Sequence, residues 1–585
     1  VYEISSEKKG ARTLELTEIK PLWETRGGRK ILVAEHKWDL HKRLCDQGVP
    51  YDEAAKLAEI VPQGRWMLPL DPKILFVARK ASRANEHFAL VERHFPAVDF
   101  VPSEDLPQHL RQVTRAVANH LASLFKKRTG DWCNFCVDEL KPTNWTTERA
   151  QVALARIGLS DVLTKKQTVR KFFIKPNETL GKMKPRGIQA CADEVAMLQA
   201  ITVKIVAELL FDRELMLDHS IKHISARELP ERMSRFLARF KRGWTLSVDF
   251  GNWDSTLLKH IRENVENLLL DEFYRSVGCD NNHVTKALGD RAKTRIEGRS
   301  TFFKISATDF GRESGDGGTS VLNYATNFVL SLALEQHLAG MDQTDPEQCL
   351  QHRVKRKSWM DSIHEGDDTV YAFGSRFVER IGGPSAVVEK VTKFYGALGM
   401  KLEPACSEGV SFDPSKVLVP VGGRVEFVSK LFLDAHPPLA VSMVPRTVRS
   451  AAVTFSAGPL NDVMFSAALS GLYNHCNSPL LREVYGLLRR LSECGSTPTY
   501  IHSSGYRGRT MTELKCSTPV DVVNRMIDGC RCTDANVRGL YAREYPRLTV
   551  ERQFEFEARL QSLERPTEEM WPEIRRLFAD LLACC

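Results

Sequence analysis

Long apolar runs are missing from this 585-residue sequence. Crossing a bilayer takes about 20 consecutive apolar residues, and the most apolar helical candidate, residues 328–334, stops at Glu335-Gln336-His337. A membrane-spanning helix is therefore not expected. A cysteine framework is missing too. The 14 Cys residues are scattered, and the close pairs Cys133/Cys136 and Cys530/Cys532 have no second half at a zinc-binding spacing. This argues against a disulfide scaffold and a zinc module, and for a reducing compartment. Internal repeats and low-complexity tracts are absent, which sets aside solenoids and disordered arrays. No sign of charge dominates: 82 Lys and Arg against 74 Asp and Glu leave a net charge of +8, which suits a polyanionic partner without requiring one. The first residue is Val1, and the N-terminal residues have the character of neither a signal nor a transit peptide. The chain is expected to have been cut from, or read through as part of, something longer.

What is present is ordinary globular composition, 43% hydrophobic and 27% charged, enough for several domain-sized units with buried cores. Residues 1–130 are mixed and basic, with helix-like stretches at 51–60 and 106–125. Between 131 and 243 positively charged segments alternate with apolar ones, and Pro176, Pro185 and Gly187 break the pattern into strands and loops. From 244 to 433 strand patterns interleave with helical ones. Beyond Pro437 helical periodicity dominates, as at 479–491 and 550–563.

The chemistry is concentrated in the middle. Residues 244–250 alternate so that a strand sets Trp244, Leu246 and Val248 on one face and Asp249 on the other. In residues 359–373, β-formers flank Gly366-Asp367-Asp368 in the manner of a tight hairpin, which puts two carboxylates at a turn. Taken alone, Gly-Asp-Asp reads as a solvated turn. Clustered aspartates repel unless a cation neutralises them, so Asp249, Asp367 and Asp368 together point to a hard, oxygen-seeking ion such as Mg2+. Two such ions can clamp an in-line phosphoryl displacement. In Ser314-Gly315-Asp316-Gly317-Gly318-Thr319 the glycines allow unusual backbone conformations and close approach of a template or nucleotide. The next helix carries Asn323 and Asn327 one turn apart; the plain alternative is that both face water. Arg235, Arg239, Lys241 and Arg242 precede the first acid and are candidates for phosphate contact or for a solvated helix face.

In their order along the chain these segments resemble the motifs of RNA-dependent RNA polymerases of positive-strand RNA viruses. Residues Asp249 to Asp254 resemble motif A, Ser314 to Asn323 motif B, and Gly366-Asp367-Asp368 motif C. Upstream, Lys175 with Lys182, Lys184 and Pro185-Arg186-Gly187-Ile188 resembles motif F. Downstream, residues 394–403 with Lys401 resemble motif D, and Glu426 to Leu431 motif E. The Pro-Arg-x-Ile, Ser-Gly-Asp-x-x-Thr and Glu-Phe elements are similar to the tombusvirus and carmotetravirus-like branch, from which Ser255 and Val428 depart. The resemblance implies an α+β right-hand architecture: residues 1–130 as an N-terminal extension and start of the fingers, and 131–243 as fingers. It further implies 244–433 as a palm of antiparallel sheet backed by helices, with a fingers insertion at 257–308, and 434–585 as a helical thumb. It implies template-directed nucleotidyl transfer with two Mg2+ ions, or Mn2+ in their place, held by Asp249, Asp367 and Asp368. Asp254, Ser314 and Asn323 are implied around the ribose 2′-hydroxyl, beside Gly315, with Thr319 as a further candidate. Lys175, Arg186, Lys182 and Lys184 are implied at the triphosphate, and Lys401 as general acid. The implied partners are RNA template and product, NTPs, other viral replication proteins and, through them, host membranes in the cytoplasm. A reverse transcriptase-like polymerase and a non-catalytic RNA-binding scaffold remain open as alternatives.

Overall fold

Apolar residues at alternate positions make strands of the central segments, and apolar residues at three- and four-residue spacings make helices of the segments around them. The computed structural model describes residues 2–4, 14–18, 23–26, 29–32, 65–70, 76–77, 83–96, 105–127, 141, 145–157, 163–175, 179–180, 186–212, 219–222, 224, 228–279, 281–308, 311–315, 317–340, 345–404, 418–421, 425–433, 438–454, 458–492, 519–528, 534–564 and 568–585. The helix expected at 51–60, the Cys133/Cys136 and Cys530/Cys532 pairs, Lys182 and Lys184 lie outside these residues. The described residues form a mixed α+β structure in which nearly all strand pairing is antiparallel.

At the centre is a sheet in the order Met360–Glu365, Asp368–Phe373, Trp244–Phe250, Leu402–Pro404, with Leu418–Pro420 also paired to Trp244–Phe250. Its two faces bury different cores. Leu246, Val248, Tyr371 and Phe373 pack toward the long helix Thr319–Ala339, while Val370, Ala372 and Ile363 pack toward the helix Glu228–Ala238 and the strand Val425–Phe427. That long helix is apolar nearly all round, and Leu330, Leu334, Phe328 and Val329 are fully buried. Burying each such side chain contributes about 1.5–3 kcal/mol. An ionic cluster fastens the hairpin to the helix. Buried Arg353 donates to Glu335 at 2.7 Å, to the Ser331 hydroxyl at 2.7 Å and to the Ser362 hydroxyl at 2.9 Å. Asp361, on the hairpin, pairs with His219 at 3.1 Å and Arg239 at 2.8 Å. Burial alone would push the Asp361 carboxyl up, but His219, Arg239 and Arg353 outweigh it and hold the group well below the usual range. Arg239 is therefore committed to the protein's own interior. Arg235 faces Glu231 across 3.9 Å on an exposed helix surface.

The strands Arg295–Arg299 and Phe303–Thr308 join Arg170–Ile174, Gly187–Ala190 and Leu14–Glu18 in a second sheet, whose Arg295–Arg299 to Arg170–Ile174 pairing is parallel. Buried Arg170 ties this sheet to Asp290 and Glu313, each at 2.6 Å. The helix Asp105–Lys127, expected at 106–125, buries Leu110, Val113, Val117 and Leu121 on one face.

After the three-stranded sheet Val425–Phe427, Lys430–Leu433 and Leu439–Ser442, the described residues are largely helical and form a second core, to which Met67, Leu68 and Leu70 also contribute. The helix Pro479–Ser492 packs Leu480, Leu481, Val484, Leu487 and Leu488 into it. Two local signals start the neighbouring helices: Pro445 near the N-terminus of Val444–Ala452, and the Thr549 hydroxyl, which accepts from the Arg552 N–H at 3.3 Å.

Candidate functional site

Pairing register brings the distant acids together. In the central sheet Ser247 pairs with Val370 and Val248 with Thr369. One further step along that antiparallel register sets Asp249 opposite Asp368, where cross-strand Cβ atoms are about 4.5–5.5 Å apart. The hairpin closes with Glu365 paired to Asp368, leaving Gly366 and Asp367 as a two-residue loop. Gly366 has φ +67°, a left-handed conformation that glycine adopts without strain. Asp249 is exposed, and Asp367 and Asp368 are half-buried.

The crowding is electrostatic as well as spatial. Burial, then the Asp367 and Asp249 charges, push the Asp368 carboxyl up to about 7. Burial, then Asp254 and Asp249, push Asp367 up to about 6. Arg446 opposes the first shift and Arg186 the second. The donor set is all carboxylate oxygen and electrostatically frustrated, which fits a hard divalent cation. Among the described residues no three acidic, His or Cys side chains stand close enough to hold an ion as they are. Closing around one requires side-chain rotation of neighbours the sheet already sets side by side.

Asp254 lies in the first turn of the short helix Trp253–Thr256, and its Oδ1 accepts from Asn323 Nδ2 at 3.2 Å. Burial raises the Asp254 carboxyl, against the lowering effects of Asn323, Arg312, Arg186 and Arg93. Asn323 and Asn327 are both buried, so neither faces water. The Ser314 hydroxyl donates to Gly187 O at 3.3 Å, and the Thr319 hydroxyl donates to Glu313 O at 2.9 Å. Thr319 thus binds its own loop.

No family model and no curated protein matches the chain.

The glycine loop departs from the sequence-based expectation. Gly315 and Gly317 have no left-handed backbone, and Gly318 has φ −99°. What two of them provide is close approach to the chain itself. A Cβ on Gly315 would meet Gln189 O at 2.5 Å, and one on Gly317 would meet Ala196 O at 2.5 Å. The Gly315 N–H donates to Gln189 O at 3.1 Å, so the loop is stitched to the strand Gly187–Ala190.

The cations flank this strand and its antiparallel partner Arg170–Ile174: Arg186 just before the one and Lys175 just after the other. Lys175 N–H donates to Arg186 O at 2.7 Å, and exposed Arg186 is close enough to Asp254 and Asp367 to oppose the rise of both carboxyls. Lys401 is exposed, and its carbonyl accepts from the Gly251 N–H at 3.0 Å, two residues past Asp249. Two cations were not anticipated. Arg93, on the helical segment Ala89–His94, acts on Asp254, and no sequence signal marked it. Arg446 acts on Asp368 and donates to the Ser429 hydroxyl. Its place just after Pro445, beyond the Glu426–Lys430 segment, was a usable hint. Val428 and Ser429 form the tip between paired strands with φ 49° and 60°. For β-branched Val428 this costs about 1–2 kcal/mol. A cleft of about 430 Å³ opens here, lined by Glu365, Ser429, Lys430, Arg446, Asn474 and Tyr485 among others.

Proposed function

We propose that the chain is the catalytic part of an RNA-directed RNA polymerase that extends an RNA 3′-end with nucleotides from NTPs on an RNA template. The observation that carries this reading is the register that sets Asp249 opposite Asp368, with Asp367 at the adjoining turn. The right-hand arrangement is part of the proposal: fingers to residue 243 and at 257–308, a palm at 244–433 and a thumb beyond. Viral replication proteins, and host cytoplasmic membranes reached through them, belong to it as well.

Asp249, Asp367 and Asp368 would hold two Mg2+ ions, or Mn2+ in their place. When bound, these supply charge neutralisation for the attacking hydroxyl and the leaving pyrophosphate. Arg186, supported by Lys175, presents positive charge where a triphosphate would lie against Asp254 and Asp367. The Asp254–Asn323 contact offers paired polar groups to a ribose 2′-hydroxyl. A deoxyribonucleotide would leave the buried Asn323 Oδ1, which has no hydrogen-bond partner among the described residues, unpaired, which favours this reading over a reverse transcriptase. Lys401, held beside Gly251 through its backbone, is the proton donor proposed for pyrophosphate. The cleft with Lys430 and Arg446 next to Glu365 suits the phosphates of the growing strand.

The test uses the purified chain with an RNA template, four NTPs and Mg2+ or Mn2+, with and without primer, beside Asp368→Ala. Template-length RNA from the parent and none from the variant is expected. Equal incorporation by both would remove the metal role and leave an RNA-binding scaffold. Offering UTP and TTP on one template separates the sugar preference, with UTP expected to win by about 100-fold or more.

A further inference from the structure

The turn that carries Asp367 is held from behind by a side chain that touches neither carboxylate. Asn327 is fully buried on the long helix Thr319–Ala339, one turn beyond Asn323. Its Nδ2 lies 3.0 Å from Gly366 O, 3.3 Å from Asp367 O and 2.7 Å from the Thr369 hydroxyl. Two of these partners are carbonyls, which only accept, so the amide must present its NH2 to the turn. Thr369 extends the clamp: its hydroxyl donates to Asp367 O at 3.3 Å and lies 3.0 Å from Nδ1 of buried His364.

The two carbonyls belong to the peptide planes on either side of the Asp367 Cα. Each plane is rigid, so only φ and ψ of Asp367 are soft between them. Fixing both planes fixes both angles, and with them the direction in which the Asp367 side chain leaves the backbone and the path of the chain into Asp368. The need for a clamp arises from Gly366, whose left-handed φ of +67° leaves this turn free to sample alternatives that a side chain would forbid.

We propose that Asn327 is a positioning residue for the metal-binding carboxylates, acting through the backbone of the Gly366-Asp367 turn with Thr369 as its relay. The inference rests on the two-metal reading of the site. Partners that orient metal ligands in this indirect way are worth about 10- to 100-fold in metal affinity.

The experiment measures Mn2+ binding to the whole chain by electron paramagnetic resonance, without nucleotide or RNA, together with a thermal melt of each variant. Asn327→Leu keeps the number and branching of the side-chain heavy atoms and removes the donors. Its own Oδ1 has no hydrogen-bond partner among the described residues, so no acceptor contact is lost with it. A fall in Mn2+ affinity of about 10- to 100-fold is expected. Thr369→Val should fall in the same direction and Thr369→Ser, which keeps the hydroxyl, should recover; this pair carries the test if Asn327→Leu does not fold. Folded variants that bind Mn2+ within about twofold of the parent, well short of that range, would overturn the proposal, as would a parent chain that binds no Mn2+. RNA synthesis by the parent with unchanged Mn2+ binding in Asn327→Leu would remove this inference alone. A parent that binds Mn2+ but makes no RNA, with binding lost in Asn327→Leu, would support this inference and remove the polymerase reading alone.

Discussion

At the scale of single residues, the acids at the sheet end make stability depend on pH in an unusual direction. The folded-state values of about 6 for Asp367 and about 7 for Asp368 lie above the ordinary aspartate value, which is about 3.9. The folded chain therefore holds protons that the unfolded chain has released. The stabilisation is full below about pH 4 and is lost as pH rises through the two folded values. In EDTA, melting temperature should fall between pH 5 and 8 in the parent, by a few degrees, and Asp368→Asn should flatten that slope; on the polymerase reading it also abolishes nucleotide incorporation. Parallel slopes in the two proteins would show that the carboxylate crowding is not felt. Adding Mg2+ at pH 8 should raise the parent's melting temperature and leave that of Asp368→Asn nearly unmoved.

At the scale of elements, glycines with opposite roles can be told apart by substitution. Gly315→Ala drives a Cβ into the Gln189 carbonyl, where backbone must move. Because the obstacle is backbone, a loss of about 2–3 kcal/mol in denaturant unfolding is expected. Gly366→Ala meets nothing within 4 Å and loses only left-handed freedom, about 1 kcal/mol. Equal costs would refute the assignment of the first glycine to packing and the second to conformation. At the tip of the Val425–Phe427 hairpin, Val428→Asn relieves a β-branched left-handed residue and should stabilise by up to about 1 kcal/mol; an unchanged or lower unfolding midpoint would mean that Val428 packing outweighs its strain. The elements themselves were mostly legible. Period-two patterning announced Trp244–Phe250 and the 360–373 hairpin, and helical periodicity announced Asp105–Lys127, Pro479–Ser492 and Val550–Ser562. Less legible was the region from 131 to 243, expected as strands and loops, where the helices Thr147–Ile157, Asp193–Leu210 and Glu228–Ala238 dominate. Asp193–Leu210 is apolar on most sides, so its periodicity has little contrast, whereas Glu228–Ala238 buries Leu229, Met233, Phe236 and Leu237 at helical spacing and carries a legible period.

At the scale of the whole molecule, a net charge of +8 is too small to predict a binding surface, but the structure gathers Arg93, Arg186 and Arg446 around the acids. On the polymerase reading, single-stranded RNA binding should weaken with salt. If these and Lys175 each meet a phosphate, the log–log slope is about −3, and Arg186→Ala should reduce it by about 0.7. A slope unchanged in Arg186→Ala would place RNA elsewhere. No described helix is long and apolar enough to cross a membrane.

The sequence by itself determined the identity and order of the acids, the strand and hairpin that carry them, and the helical character of the C-terminal part, because these depend on residue type and short-range periodicity. Only the tertiary structure decided which acids share a sheet end, that the glycine loop packs on the chain's own backbone, that Arg239 is spent on Asp361, and that Arg93, Arg446 and Asn327 belong to the site. Those facts depend on register and on contacts between residues tens to hundreds of positions apart. Nothing in the local pattern of a segment encodes which distant surface will be pressed against it.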